Sequence, residues 1–242
     1  MLLNHYKSIL SVVFLSLILV SSVLSFSVHA ESSKTVCVLF DLSDSTRDTA
    51  IRDSYLQDFE KKILTKIESG DAIAADIIAE SSAAGSTLPV NQELEGFLYS
   101  NRLKELKLKK EILGKVKELL RRPQKVQRTD ILSSLHIAER VFKTYNKERN
   151  ILVIMSDMIE DSKSYNFEKE HLTEKKIAEI IAKEKKAKKL PNLTKVDVYA
   201  IRNATNLSPE MAAGIENFWM QYFKECGARI DNAHYGPLTK FE

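Results

Sequence analysis

The sequence predicts an α/β protein: a doubly wound, mostly parallel sheet with helices on both faces and one short antiparallel strand at its edge. Three observations carry this prediction. Short, nearly continuous apolar runs recur at KTVCVLF (34–40), DAIAADII (71–78), NILVIMS (150–156) and KVDVYAI (195–201), which is how strands buried on both faces read. Longer segments with helical spacing separate these runs, the alternation expected of parallel sheets. Two of the runs lead into aspartates, Asp41 and Asp157, beyond the strand ends where open parallel sheets bind their ligands.

Taken in order, the chain opens on a segment unlike the rest. Lys7 precedes an apolar run from Ile9 to Phe26, and Val28-His29-Ala30 offers small residues at the positions a signal peptidase reads. Residues 1–30 therefore read as a secretory signal peptide. The protein is expected to be exported, to a periplasm or the medium. The alternative is retention as an N-terminal membrane anchor, for which ~18 apolar residues suffice. No linker-like stretch divides 34–242, so the remainder reads as one domain. Its substance suits that: of 242 residues in all, 44% are apolar and 29% charged, enough apolar material for a core. The formal charge of +3 gives no argument for nucleic acid or an anionic membrane as partner.

After the first strand, Arg47–Ser69 carries Ile51, Tyr55, Phe59, Ile63, Leu64 and Ile67 at helical spacing, and Gly70 ends it. Leu88-Pro89-Val90 follows the second run as a short edge strand, where proline is tolerated. Glu95–Arg122 is a charged helix stopped by Pro123. Thr129–Tyr145 is a second long helix, with Ile131, Leu132, Leu135, Ile137, Ala138, Val141 and Phe142 as buried positions. Leu172–Lys189 is lysine-rich, and its interspersed Glu174, Glu179 and Glu184 predict a solvated face with local ion pairs. Ser208–Cys226 is the last helix, started by Ser208-Pro209-Glu210.

The chemistry gathers at the upper strand ends. Asp41, Ser43 and Ser45 alternate after the first strand, Thr129 stands where a helix opens, and Asp157 closes NILVIMS. Each alone reads as a helix cap or loop residue. Together, two carboxylates and three hydroxyls make a hard-oxygen site. Mg²⁺ is the natural occupant, with Mn²⁺ or Ca²⁺ as alternatives.

These motifs resemble those of the von Willebrand factor A (VWA) domain family, a Rossmann-like fold with a metal-ion-dependent adhesion site. The resemblance rests on Asp41-x-Ser43-x-Ser45 after a first apolar strand, Arg128-Thr129-Asp130 before a helix, and Ser156-Asp157 closing a buried strand. It implies that Ser43, Ser45 and Thr129 hold the cation directly, and that Asp41 and Asp157 act partly through water. It also implies an open coordination position for an Asp or Glu of a protein partner. Two residues depart from the family pattern: Asp44 and Met158 stand where glycine is usual. Asp44 adds negative charge near the cation, which favours metal binding over capture of an acidic ligand.

The function expected is a non-enzymatic, cation-dependent protein-binding module. The alternative is a structural subunit of an envelope or secretion complex in which the metal only stabilises the fold. A phosphoryl-accepting aspartate, as in haloacid-dehalogenase-like phosphatases, needs a second aspartate where Ser43 stands. His136, His171 and His234 are isolated and read as surface or packing residues. Cys37 and Cys226 leave two readings open: one disulfide tying the two ends of the domain, or a buried thiol at Cys37.

Overall fold

In the computed structural model, which describes residues 33–43, 46, 48–79, 86–95, 102–122, 128–202, 207–238 and 241, the apolar runs join into one five-stranded sheet. Its strands are β1 (Lys34–Asp41), β2 (Ala72–Ile78), β3 (Val90–Glu93), β4 (Arg149–Met155) and β5 (Val196–Ile201), in the spatial order β3-β2-β1-β4-β5. β1, β2, β4 and β5 are parallel, and β3 pairs antiparallel with β2 at the edge. β3 begins one residue after Pro89, which has no N–H to give to a ladder. The expected leader (1–30) and Ser45 lie outside the described residues, and Ser33–Glu242 forms one compact unit. Among the described residues no helix is long and apolar enough to cross a membrane.

Alternation along the strands divides the core into two layers. Val36, Val38 and Phe40 face one side, with Ile73, Ala75, Ile151 and Val153. Helices α1 (Thr49–Asp58) and α2 (Arg102–Arg121) cover that side through Tyr55, Ile112, Val116 and Leu119. Cys37 and Leu39 face the other side, with Ala74, Leu152, Ile154 and Val198. There they meet α3 (Ile131–Tyr145), α4 (Glu174–Lys186) and α5 (Pro209–Glu225). The doubly wound architecture follows: a strand apolar at every position needs a helix layer on each face.

Three expectations are corrected. The helix expected over Arg47–Ser69 is α-helical only to Asp58, then widens to a π turn at Phe59–Ile63 and tightens to a 3₁₀ turn at Leu64–Lys66. The apolar residues at 51, 55, 59, 63 and 67 repeat every four residues. On a helix of 3.6 residues per turn this stripe drifts by about 40° per step. The wider turn absorbs the drift, and Phe59 and Ile63 stay wholly buried. The lysine-rich helix is not simply solvated: Glu184 is buried and accepts from Tyr165 Oη at 2.6 Å.

The third correction concerns the edge strand expected at Leu88-Pro89-Val90, which runs Val90–Glu93, with Leu88 in a left-handed backbone (φ 43) before it. Of the two readings left open for the cysteines, the structure has the free one: both are free and buried. Cys37 lies in β1, in register with Leu152 of β4. Cys226 caps α5, and its carbonyl accepts from Leu193 N, at the turn entering β5, at 2.9 Å. β4 runs between β1 and β5, and strands two apart lie about 9–10 Å from one another. A disulfide spans roughly 4.4–6.8 Å between Cα atoms. Burial pushes the Cys226 thiol up to about 12, with Glu225 adding to it, so neither thiol is a ready nucleophile.

Candidate metal centre

The central strands deliver their carboxylates to the same crest. Phe40 of β1 registers with Met155 of β4, so the next residues, Asp41 and Ser156, come side by side. Ser156 Oγ donates to Asp41 Oδ2 at 2.6 Å. The other oxygen, Asp41 Oδ1, accepts from Ser43 N at 2.9 Å, a local Asx turn that starts the loop after β1. Thr46 pins this loop from beyond, its Oγ1 donating to Asp41 O at 2.8 Å and Ser43 O at 3.1 Å. Asp41 is wholly buried, and Ser43 and Asp157 are each 6% exposed.

Asp157 sits one residue past Ser156, and its Oδ1 accepts from Ile159 N at 3.0 Å. Burial pushes the Asp41 carboxyl up to about 6, and the charge of Asp157 adds to the rise. The Ser156 hydroxyl, the Ser43 amide and the Ser43 hydroxyl pull the other way and only partly compensate. Asp41 thus stands as a buried carboxylate whose charged form is disfavoured by a second buried carboxylate beside it, Asp157.

Met158 takes a left-handed backbone, φ 66, where the VWA pattern has glycine. A non-glycine residue there costs roughly 1–2 kcal/mol. The Met158 side chain is wholly buried, which contributes roughly 1.5–3 kcal/mol and offsets the strain. Met158 N also donates to Ser156 Oγ at 3.0 Å, and Met158 O accepts from Trp219 Nε1 of α5 at 2.8 Å. The loop carrying Asp157 is thereby fixed to the core.

Thr129 lies two residues before α3 and is 5% exposed. Asp130 caps the helix, accepting from Ser133 N at 2.9 Å. Thr129 forms a bridge with Asp161 in the loop after β4, Asp161 N donating to Thr129 O at 2.9 Å. Hydrogen bonds thus draw Asp41, Ser43 and the Ser156–Asp157 turn together directly, and join Thr129 to them through Asp161. Asp44 and Ser45 fall outside the described residues.

Among the described residues no three His, Cys, Asp or Glu side chains gather closely enough to hold a metal ion. A cation on this crest would therefore depend on hydroxyls beside the two carboxylates. A cleft of about 280 Å³ opens next to it, lined by Asp130, Ser133, His136, Tyr165, Glu184 and Lys189 among others. None of Asp41, Ser43 and Asp157 lines it.

Three residues of the centre escape the sequence reading. Ser156 looks like the last residue of a strand, although a hydroxyl beside Asp157 is a visible sign. Thr46 has no pattern of its own. Glu160 is wholly buried, and its Oε2 accepts from Ile131 N at 2.9 Å and Leu132 N at 3.2 Å. Burial, and then the charge of Asp130, push this carboxyl up to about 8 against the pull of the Ser162 side chain and of those amides.

No family model matches the chain, and no curated protein matches it. Among solved structures it matches a von Willebrand factor type A protein from Catenulispora acidiphila at TM-score 0.45 and 12% identity, over 81% of this chain and 42% of that one. It also matches the three N-terminal domains of the type V pili tip protein Mfa5 from Porphyromonas gingivalis. That match has TM-score 0.37 and 17% identity, over 74% of this chain and 29% of the other. The chain therefore spans less than half of either.

Proposed function

We propose that this chain is an exported VWA-type module that holds a divalent cation, Mg²⁺ first, with Asp41, Ser43, Ser45, Thr129 and Asp157, and captures a carboxylate of a protein partner. The observation that supports it is the placing of Asp41 and Asp157 at the carboxyl ends of adjacent parallel strands, with two neutral hydroxyls, of Ser156 and Ser43, and a backbone amide as the hydrogen-bond donors to Asp41. When bound, the cation supplies a positive charge able to take an external carboxylate oxygen. The residues do the rest. Ser156 and the Ser43 amide orient Asp41, Trp219 and Ser156 hold the turn that presents Asp157, and Thr46 fixes the serine loop. Ser156 Oγ does donate to the Asp41 carboxylate, but that hydroxyl also accepts from Met158 N and the pair is wholly buried, so binding and not turnover is the activity proposed.

A phage-displayed peptide library panned on the immobilised protein in Mg²⁺, then eluted with EDTA, tests this reading. Enrichment of Asp- or Glu-bearing peptides on the wild-type protein but not on Asp157→Ala is the expected result. Peptides that survive EDTA, or bind Asp157→Ala equally, contradict it.

The low exposure of Ser43, Thr129 and Asp157, 5–6% each, favours a second reading. Here the cation stabilises the fold of a structural subunit and meets no partner. Mg²⁺ that raises the melting temperature while EDTA-sensitive peptides are absent selects this second reading.

A further inference from the structure

We infer that Glu160 is a positioning residue for the proposed cation site, its buried carboxyl setting Thr129 against Asp157. The inference rests on the cation reading above and adds a residue to it that no motif contains. Helix α3 already has an ordinary cap in Asp130, which takes the amide of Ser133. The preceding amides, Ile131 N and Leu132 N, go instead to Glu160 Oε2, from a segment 28 and 29 residues away in sequence. Asp161 N donates to Thr129 O at 2.9 Å beside them. Thr129, Ile131 and Leu132 are thus stitched to two successive residues, Glu160 and Asp161.

The far end of this stitch is itself rigid. Glu160 O accepts from Phe167 N at 2.9 Å, and Phe167 packs edge-on against Phe218 of α5 with ring centroids 4.6 Å apart. On the other flank Ile159 N is bound to Asp157 Oδ1 at 3.0 Å. A displacement of the Glu160 carboxyl therefore moves the Thr129 segment relative to Asp157, the two elements that come from different strand–helix connections. A helix cap needs no such link, and a loop of only local turns would leave Thr129 and Asp157 to vary independently. Partners that orient metal ligands in this way commonly change affinity by about 10–100-fold when removed.

The test is Mn²⁺ binding to the purified chain, by calorimetry and by water-proton relaxation, in Glu160→Ala, Glu160→Asp, Glu160→Gln and the capping control Asp130→Ala. Glu160→Ala and Glu160→Asp are expected to weaken Mn²⁺ by about 10-fold or more. The relaxation enhancement of the bound ion should rise as a water takes the place of Thr129. Glu160→Gln keeps an oxygen for the two amides and should restore wild-type affinity. Asp130→Ala should lower the melting temperature while leaving Mn²⁺ affinity near wild type. Should Glu160→Ala fail to fold, Glu160→Asp decides. Unchanged affinity and relaxation in the folded Glu160 variants overturns the inference and leaves Glu160 a helix cap. Absence of Mn²⁺ binding to the wild-type chain overturns the cation reading itself and this inference with it.

Discussion

Asp41→Asn is expected to raise the melting temperature of the cation-free protein at pH 7 and to abolish its response to Mg²⁺. The free Asp41 carboxyl titrates near 3.9, and in the folded protein burial and Asp157 push it up to about 6. Its folded-state value is raised, so the stability it contributes is complete below about pH 4 and is lost as pH rises through about 6. At pH 7 the ionised group therefore costs on the order of 3 kcal/mol. Asparagine imitates the neutral form at every pH. It keeps an oxygen for Ser43 N, and its amide can donate to Ser156 Oγ; the Ser156 proton then loses Asp41 as its acceptor, which offsets part of the gain. Thermal melts of both proteins in EDTA, from pH 4.5 to 8, measure the effect. The gap between them should widen with pH and close when Mg²⁺ is added to the wild type. A lower melting temperature for Asp41→Asn across this range would mean that Asp41 acts as a structural acceptor only.

The largest loss of stability is expected from Trp219. It is wholly buried, and its ring packs against Phe167, Phe218, Tyr222 and Phe223 at centroid distances of 5.1–6.2 Å. Trp219→Ala should cost roughly 3–5 kcal/mol in urea unfolding. Trp219→Phe separates packing from hydrogen bonding, because it retains most of the ring but leaves Met158 O without the Nε1 donor. That loss alone should cost roughly 1–3 kcal/mol. Met158 is held in a left-handed conformation beside Asp157, so Trp219→Phe should also weaken cation uptake, which Trp219→Ala cannot show if it unfolds. A Phe variant as stable as wild type would contradict the role given to the Nε1 bond.

The sheet was legible because strands covered by helices on both faces must be apolar throughout, and 34–40, 71–78, 150–156 and 195–201 are nearly so. Alternation with helical segments then left few topologies, whereas the edge strand expected at Leu88–Val90 begins only after Pro89, which cannot give an N–H to the ladder. Less legible was anything decided by a distant partner. The Ser156 hydroxyl reaches Asp41 across 115 residues, and Glu160 reaches Ile131 across 29, distances at which no periodicity carries information. Glu184 sits among lysines and reads as solvated until Tyr165 folds over it. The cysteines are kept apart because Cys37 stands in the middle of β1 and Cys226 beside the turn that enters β5, with β4 between those strands. The π turn at Phe59–Ile63 was written in the four-residue spacing, which a helix of constant pitch would have carried off the core.

Calorimetric titration of Mg²⁺ into the purified wild-type chain and its Asp157→Ala variant tests the central claim most directly, with Trp219, the chain's one tryptophan, as a fluorescent witness through its bond to Met158 O. One saturable site per wild-type chain is predicted, with a Trp219 fluorescence change that follows the same isotherm, and neither in Asp157→Ala. No heat and no fluorescence change in the wild type, or an unaltered isotherm in Asp157→Ala, would contradict the assignment of Asp41 and Asp157 to a cation site.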